Sequence, residues 1–105
     1  MLIIETSVFT SQIRTELDDE SYRLLQVELA RNPEAGALIR RTGGIRKIRW
    51  AARGRGKSGG IRVIYYWHRL GESLLMLLAH SKNMQDDLTP AQRKVLRDLV
   101  KEELG

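Results

Sequence analysis

The chain contains no cysteine, two prolines and two histidines in 105 residues. Without cysteine there are no disulfides and no thiol chemistry, and an intracellular setting is the simpler reading. His68 and His80 alone cannot complete a tetrahedral ligand set, so no metal is expected, and no motif asks for a cofactor. Long apolar runs are missing too. The longest late one, Leu74 to Ala79, falls far short of the ~20 residues that a membrane helix needs. MLIIETSVF has neither the basic start nor the apolar length of a secretory signal. A soluble, cytoplasmic protein with no membrane partner is therefore expected. The most telling absence is of negative charge. The chain has thirteen Asp and Glu residues, yet none lies between Ala35 and Gly71.

That acid-free stretch holds ten of the eighteen Lys and Arg residues, in a chain of formal net charge +5. They are Arg40, Arg41, Arg46, Lys47, Arg49, Arg53, Arg55, Lys57, Arg62 and Arg69. A positive field this concentrated is matched by a phosphate backbone. Charge that only served solubility would be interspersed with acids, as it is in the outer thirds. The cations alternate with Ile45, Ile48, Trp50, Ile61, Val63 and Ile64, so a folded sheet is expected to carry them rather than a disordered tail.

The length allows one domain, residues 1–105, with one modest core. Leu2 to Ile4 reads as a short strand. Phe9, Ile13 and Leu17 recur every fourth residue and mark one helix face. Asp18 or Asp19 can cap a second helix through Tyr22, Leu25 and Leu29, which should stop near Asn32-Pro33. Thr42-Gly43-Gly44 is a turn. Ile45 to Ala52 and Ile61 to Trp67 are strands flanking the basic loop RGRGKSGG, and Ser73 to Ala79 is a strand apolar enough to be covered on both faces. A last helix starts at Pro90, where Thr89 and Gln92 form a capping box, and carries Leu96, Leu99 and Val100. The order β-α-α-β-β-β-α predicts an α+β domain, with an antiparallel-dominated sheet and helices packed on one face.

Side chains alternate across a strand, so Lys47 and Arg49 share a face, as do Arg62, Ile64 and Tyr66. If the two strands pair, Lys47, Arg49 and Arg62 converge, with Arg53, Arg55 and Lys57 from the loop nearby. His80 and Lys82 share a face at the end of the last strand. Such a cluster can hold a phosphate and stabilise charge that develops on it. A basic strand face is also what a plain binding surface looks like. Tyr65, Tyr66 and Trp67 read as core, or as a ring on which a base stacks. His80 reads as structural or as a proton carrier. The glycines do not form a P-loop. No acidic pair suits a two-metal nuclease, so any RNA cleavage would use the substrate's own 2′-hydroxyl.

Taken in order, the NPEAG turn, GGIRKIRWA, the glycine-rich basic loop, GGIRVIYYW and HSKNMQDDLTPAQRKVL resemble the RelE/ParE toxin superfamily over nearly the whole chain, and within it the HigB-type branch. The resemblance implies a toxin of a type II toxin–antitoxin module. Its activity would be ribosome-dependent, metal-independent cleavage of mRNA in the A site, leaving a 2′,3′-cyclic phosphate. It further implies as partners the ribosome with its rRNA, mRNA and a cognate antitoxin, of the helix-turn-helix HigA type. Under it, Lys47, Arg49, Arg62 and Lys82 are the catalytic basic set; Arg40, Arg41, Arg46, Arg53, Arg55 and Lys57 are expected from their charge, and Asn83 from its place, to grip RNA or ribosome. Two positions depart from the RelE pattern. Asn83 stands where an arginine is usual, and Thr89 or a neighbour stands where a tyrosine serves as base. Proton transfer then falls to His80, with Lys57 or Lys47 as second choices. Two other readings share the fold: a ParE-like gyrase poison, and a non-catalytic basic nucleic-acid-binding module.

Overall fold

The structure, a computed structural model, describes residues 1–51, 60–81 and 88–104. The elements run β1 (Leu2–Glu5), α1 (Ser7–Glu16), α2 (Asp19–Arg31), β2 (Ala37–Leu38), β3 (Ile45–Trp50), β4 (Ile61–His68), β5 (Ser73–Ser81) and α3 (Pro90–Leu104). The five strands form one sheet in the order β1-β5-β4-β3-β2. Only the β1–β5 pair is parallel; the other three pairs are antiparallel. The α+β class and the expected order therefore hold, with β2 added as an edge strand of two residues.

The helices begin where their caps dictate. The Thr6 hydroxyl accepts from the Phe9 N–H at 3.0 Å and donates to the Leu77 carbonyl, which caps α1 and ties it to β5. Asp18 accepts from the Ser21 N–H at 2.8 Å and starts α2. The Thr89–Gln92 capping box is reciprocal: the Gln92 N–H donates to Thr89 Oγ1 at 3.1 Å, and the Thr89 N–H donates to Gln92 Oε1 at 2.9 Å.

One particular of the sequence reading is corrected. Helices cover both faces of the sheet, not one. Phe9, Ile13 and Leu17 of α1 and its end, with Leu25 and Leu29 of α2, pack against Ile61, Val63, Tyr65, Leu74 and Met76. Helix α3 lies on the opposite face, where Leu96 meets Ile45, Ile64, Leu75 and Leu77. The reason is the double-sided apolarity of β4 and β5. With one face bare, Ile64, Leu75 and Leu77 would stand in water, at roughly 1.5–3 kcal/mol for each large side chain. A bulge reinforces this: Ile64 pairs with Leu78 but Tyr65 pairs with Met76, so Leu77 is the extra residue and both Leu77 and Leu78 reach the α3 side.

Tyr65 anchors the NPEAG turn from below. Its hydroxyl accepts from the Gly36 N–H at 2.9 Å and donates to the Pro33 carbonyl at 2.8 Å. A Cβ at Gly36 would come within 2.9 Å of both the Lys47 carbonyl and the Tyr65 ring, so only glycine lets β2 approach β3 here.

Candidate functional site

Strands β3, β4 and β5 line up a transverse row of three side chains. Arg49 is directly opposite Arg62, and Arg62 is directly opposite His80. Paired residues in neighbouring strands hold their Cβ atoms about 4.5–5.5 Å apart. The adjacent row on the same face is Lys47–Ile64–Leu78. Two like charges set opposite each other cost stability in a sheet. Arg49 and Arg62 stand opposite each other in this way on β3 and β4.

The members of the row differ in depth. Arg49 is exposed, Lys47 and His80 are half-buried, and Arg62 is only 3% exposed. Arg62 thus forms the floor of the row, with Arg49 and His80 as its rims. His80 Nδ1 lies 3.2 Å from the Ser81 carbonyl oxygen. A carbonyl can only accept, so Nδ1 is the donor in this contact.

Beside the row opens a cleft of about 450 Å³, lined by Arg40, Lys47, His80 and Arg93 at its polar wall and by Ile39, Ile64 and Leu88 among its apolar residues. Four structural units meet there: the segment after β2, the central sheet, the start of α3 and the residue before its cap. Sequence reasoning missed Arg93 and Leu88. A basic residue in the first turns of an amphipathic helix looks like solvated charge, and only the placement of α3 over this face brings Arg93 to the cleft.

The other expected site residues divide. Arg46 points away from Lys47 and Arg49, as alternation demands. It donates to the Glu34 and Gly36 carbonyls at 3.2 and 2.7 Å and pairs with the Glu34 carboxylate at 3.3 Å. It staples the turn before β2 to β3 and does not join the row. Arg41 takes a left-handed backbone conformation at φ 62°, and its carbonyl accepts from Arg97 Nη1 at 2.7 Å. Arg53, Arg55, Lys57, Lys82 and Asn83 lie outside the described residues. Thr89 uses its hydroxyl to cap α3. No group of three or more His, Cys, Asp or Glu able to hold a metal occurs among the described residues.

A family model described as the RelE toxin of the RelE/RelB toxin–antitoxin system matches residues 1–105. Among solved structures, the isolated E. coli RelE toxin superposes with a TM-score of 0.59 at 18% identity, over 97% of each chain. At that identity the likeness speaks for the fold, whereas the family match covers every residue. The chain belongs to the RelE toxin family of toxin–antitoxin systems, a membership that implies an antitoxin as partner.

Proposed function

We propose that this toxin is a ribosome-dependent, metal-independent endoribonuclease of the HigB type, which cuts mRNA in the ribosomal A site. The observation that carries the proposal is the Arg49–Arg62–His80 row, a cationic floor with an imidazole at its edge. In the reaction the ribose 2′-oxygen attacks the adjacent phosphorus, and its proton passes to His80 Nε2. The bond from phosphorus to the 5′-oxygen breaks, leaving a 2′,3′-cyclic phosphate on one fragment. Lys47, one row along, supplies the proton that the departing 5′-oxygen takes up. Arg49 and Arg62 hold the two negative charges that build up on the phosphoryl oxygens, the place where fixed cations contribute most to rate. Lys82 belongs to this set by its family correspondence, and Asn83, Arg53, Arg55 and Lys57 remain candidates for contact with RNA. The antitoxin is proposed to be a helix-turn-helix protein of the HigA type.

Primer extension on a defined mRNA, with and without programmed 70S ribosomes, tests the reading. Cleavage by the wild type only when ribosomes are present, and its loss in Arg49→Ala and Arg62→Ala, is the expected result. Full activity in His80→Ala would remove His80 from the mechanism and return proton transfer to Lys47 or Lys57. No cleavage under either condition, together with early arrest of DNA replication after induction, would replace the nuclease with a gyrase poison.

A further inference from the structure

Strand β5 is paired on both sides only along its first part. β1 reaches as far as Glu5, opposite Met76, and the Thr6 N–H gives the last bond of that ladder to the Met76 carbonyl at 3.1 Å. From Leu77 to Ser81, β5 continues with β4 on one side and, among the described residues, no strand on the other. Two side chains from α1 and its cap take the place of the missing strand. The Thr6 hydroxyl donates to the Leu77 carbonyl at 3.0 Å, and the Ala79 N–H donates to Gln12 Oε1 at 2.8 Å. Ala79 is only 1% exposed and packs in the core under α1, so its N–H needs an acceptor from the protein. Gln12 supplies it. The two bonds fall at the bulge on Leu77 and two residues beyond it. A bulge re-aims the side chains that follow it. Because side chains alternate between faces, moving the extra residue by one position would turn His80 from the Arg62 row to the α1 side.

We infer that Gln12 is a positioning residue for the Arg49–Arg62–His80 row. From the opposite face of the sheet it fixes the Ala79 N–H, and with it the register that sets His80 opposite Arg62. The inference rests on the nuclease reading, because it gives Gln12 a part in cleavage without contact with RNA. Thr6 also braces the bulge, but its hydroxyl caps α1 as well. Gln12 is therefore the place where positioning separates from helix formation. Its acceptor oxygen is the group that matters.

The test is single-turnover cleavage of a defined mRNA on programmed 70S ribosomes, at rising toxin concentration and well below the melting temperature of every variant. Gln12→Met keeps the length and helix propensity of the side chain and loses the acceptor. Its maximal rate should fall about tenfold or more, as for a small displacement of a reacting group, with the half-saturating concentration unchanged. Gln12→Glu keeps an acceptor oxygen at the same reach and should restore most of the rate. Hydrogen exchange at Ala79 should quicken in Gln12→Met and not in Gln12→Glu. Added to His80→Ala, Gln12→Met should cost nothing further, since it acts through His80. Gln12→Asn draws the amide back by one methylene, should lose rate as Gln12→Met does, and replaces it if Gln12→Met folds poorly. Asp18→Ala, which removes the α2 cap, is the stability control and should cleave at the wild-type rate. A wild-type rate in both Gln12→Met and Gln12→Asn would overturn the role of Gln12. So would an equal loss in Gln12→Glu, a further loss in the double variant, or the same loss in Asp18→Ala. A wild type that cuts no RNA would instead sink the nuclease reading, and this inference with it.

Discussion

Arg49 and Tyr65 show how differently single residues serve this protein. Arg49 is exposed and faces Arg62 across the strand pair. Replacing it with alanine relieves a like-charge pairing worth roughly 0.2–1 kcal/mol, so the folded state should hold its stability or gain slightly. Cleavage should fall by about a hundredfold or more, as when one fixed donor to a developing oxyanion is removed. Denaturant melts and single-turnover cleavage, read together, check the pair of outcomes; a variant that lost stability and activity in proportion would make Arg49 structural. Tyr65 behaves in the opposite way. It is fully buried and bonded at its hydroxyl to both Gly36 and Pro33, so Tyr65→Phe should cost about 1–3 kcal/mol by leaving a buried donor and acceptor unmet. Burial holds its phenol above the ordinary value of 10.0, and burial together with the Glu5 hydrogen bond does the same to Tyr22. Both phenols ionise more readily in the unfolded chain. Their contribution is therefore complete below pH 10 and drains away as the pH rises above it. Melting temperature should drop on the alkaline side, and Tyr22→Phe should flatten that drop; an unchanged alkaline slope would mean that Tyr22 is not protected from ionisation.

At the scale of elements, the start of α3 matters because Arg93 sits in its first turns. Removing the cap in Thr89→Ala should cost about 1 kcal/mol and raise amide exchange over residues 91–93. It should also slow cleavage, because a frayed first turn no longer holds Arg93 over the cleft. Asp18→Ala removes a cap of the same kind from α2, on the far face of the sheet, and should cost a similar amount of stability without slowing the chemistry. Equal activity of the two variants would detach α3 from the site. This helix also shows what a sequence can reveal. Thr89, Pro90 and Gln92 announce its first residue, because capping is local chemistry between neighbours. Leu96, Leu99 and Val100 announce an apolar stripe but not which side of the sheet it covers, since both sides of β4 and β5 are apolar. Strand β2 left no signal at all, because two residues have no period and Ala37 and Leu38 owe their conformation to pairing with Lys47 and Arg46. Arg46 reads by its charge as one more RNA contact, while strand alternation sets it on the face opposite Lys47 and Arg49, where it meets Glu34.

For the molecule as a whole, the acid-free stretch looks like one basic block, and folding divides it. Arg40, Lys47, Arg49 and Arg62 go to the α3 face and its cleft. Arg46 turns to the α1–α2 side and meets Glu34. Arg69, in the turn after β4, places its guanidinium 5.4 Å from the centre of the Trp67 ring, a side chain packed with the α1–α2 core. Counterion release makes this division measurable. Each cation that meets a phosphate adds about 0.7–0.9 to the slope of log affinity against log salt. Arg40→Gln should therefore reduce the salt dependence of binding to programmed ribosomes by about one unit, a loss that appears at every message sequence. Arg69→Gln and Arg46→Gln should leave the slope unchanged, although Arg46→Gln should lower the melting temperature by freeing the turn before β2. If all three variants flattened the slope alike, the stretch would act as a diffuse cloud of charge and the α3 face would lose its claim to be the RNA-facing side.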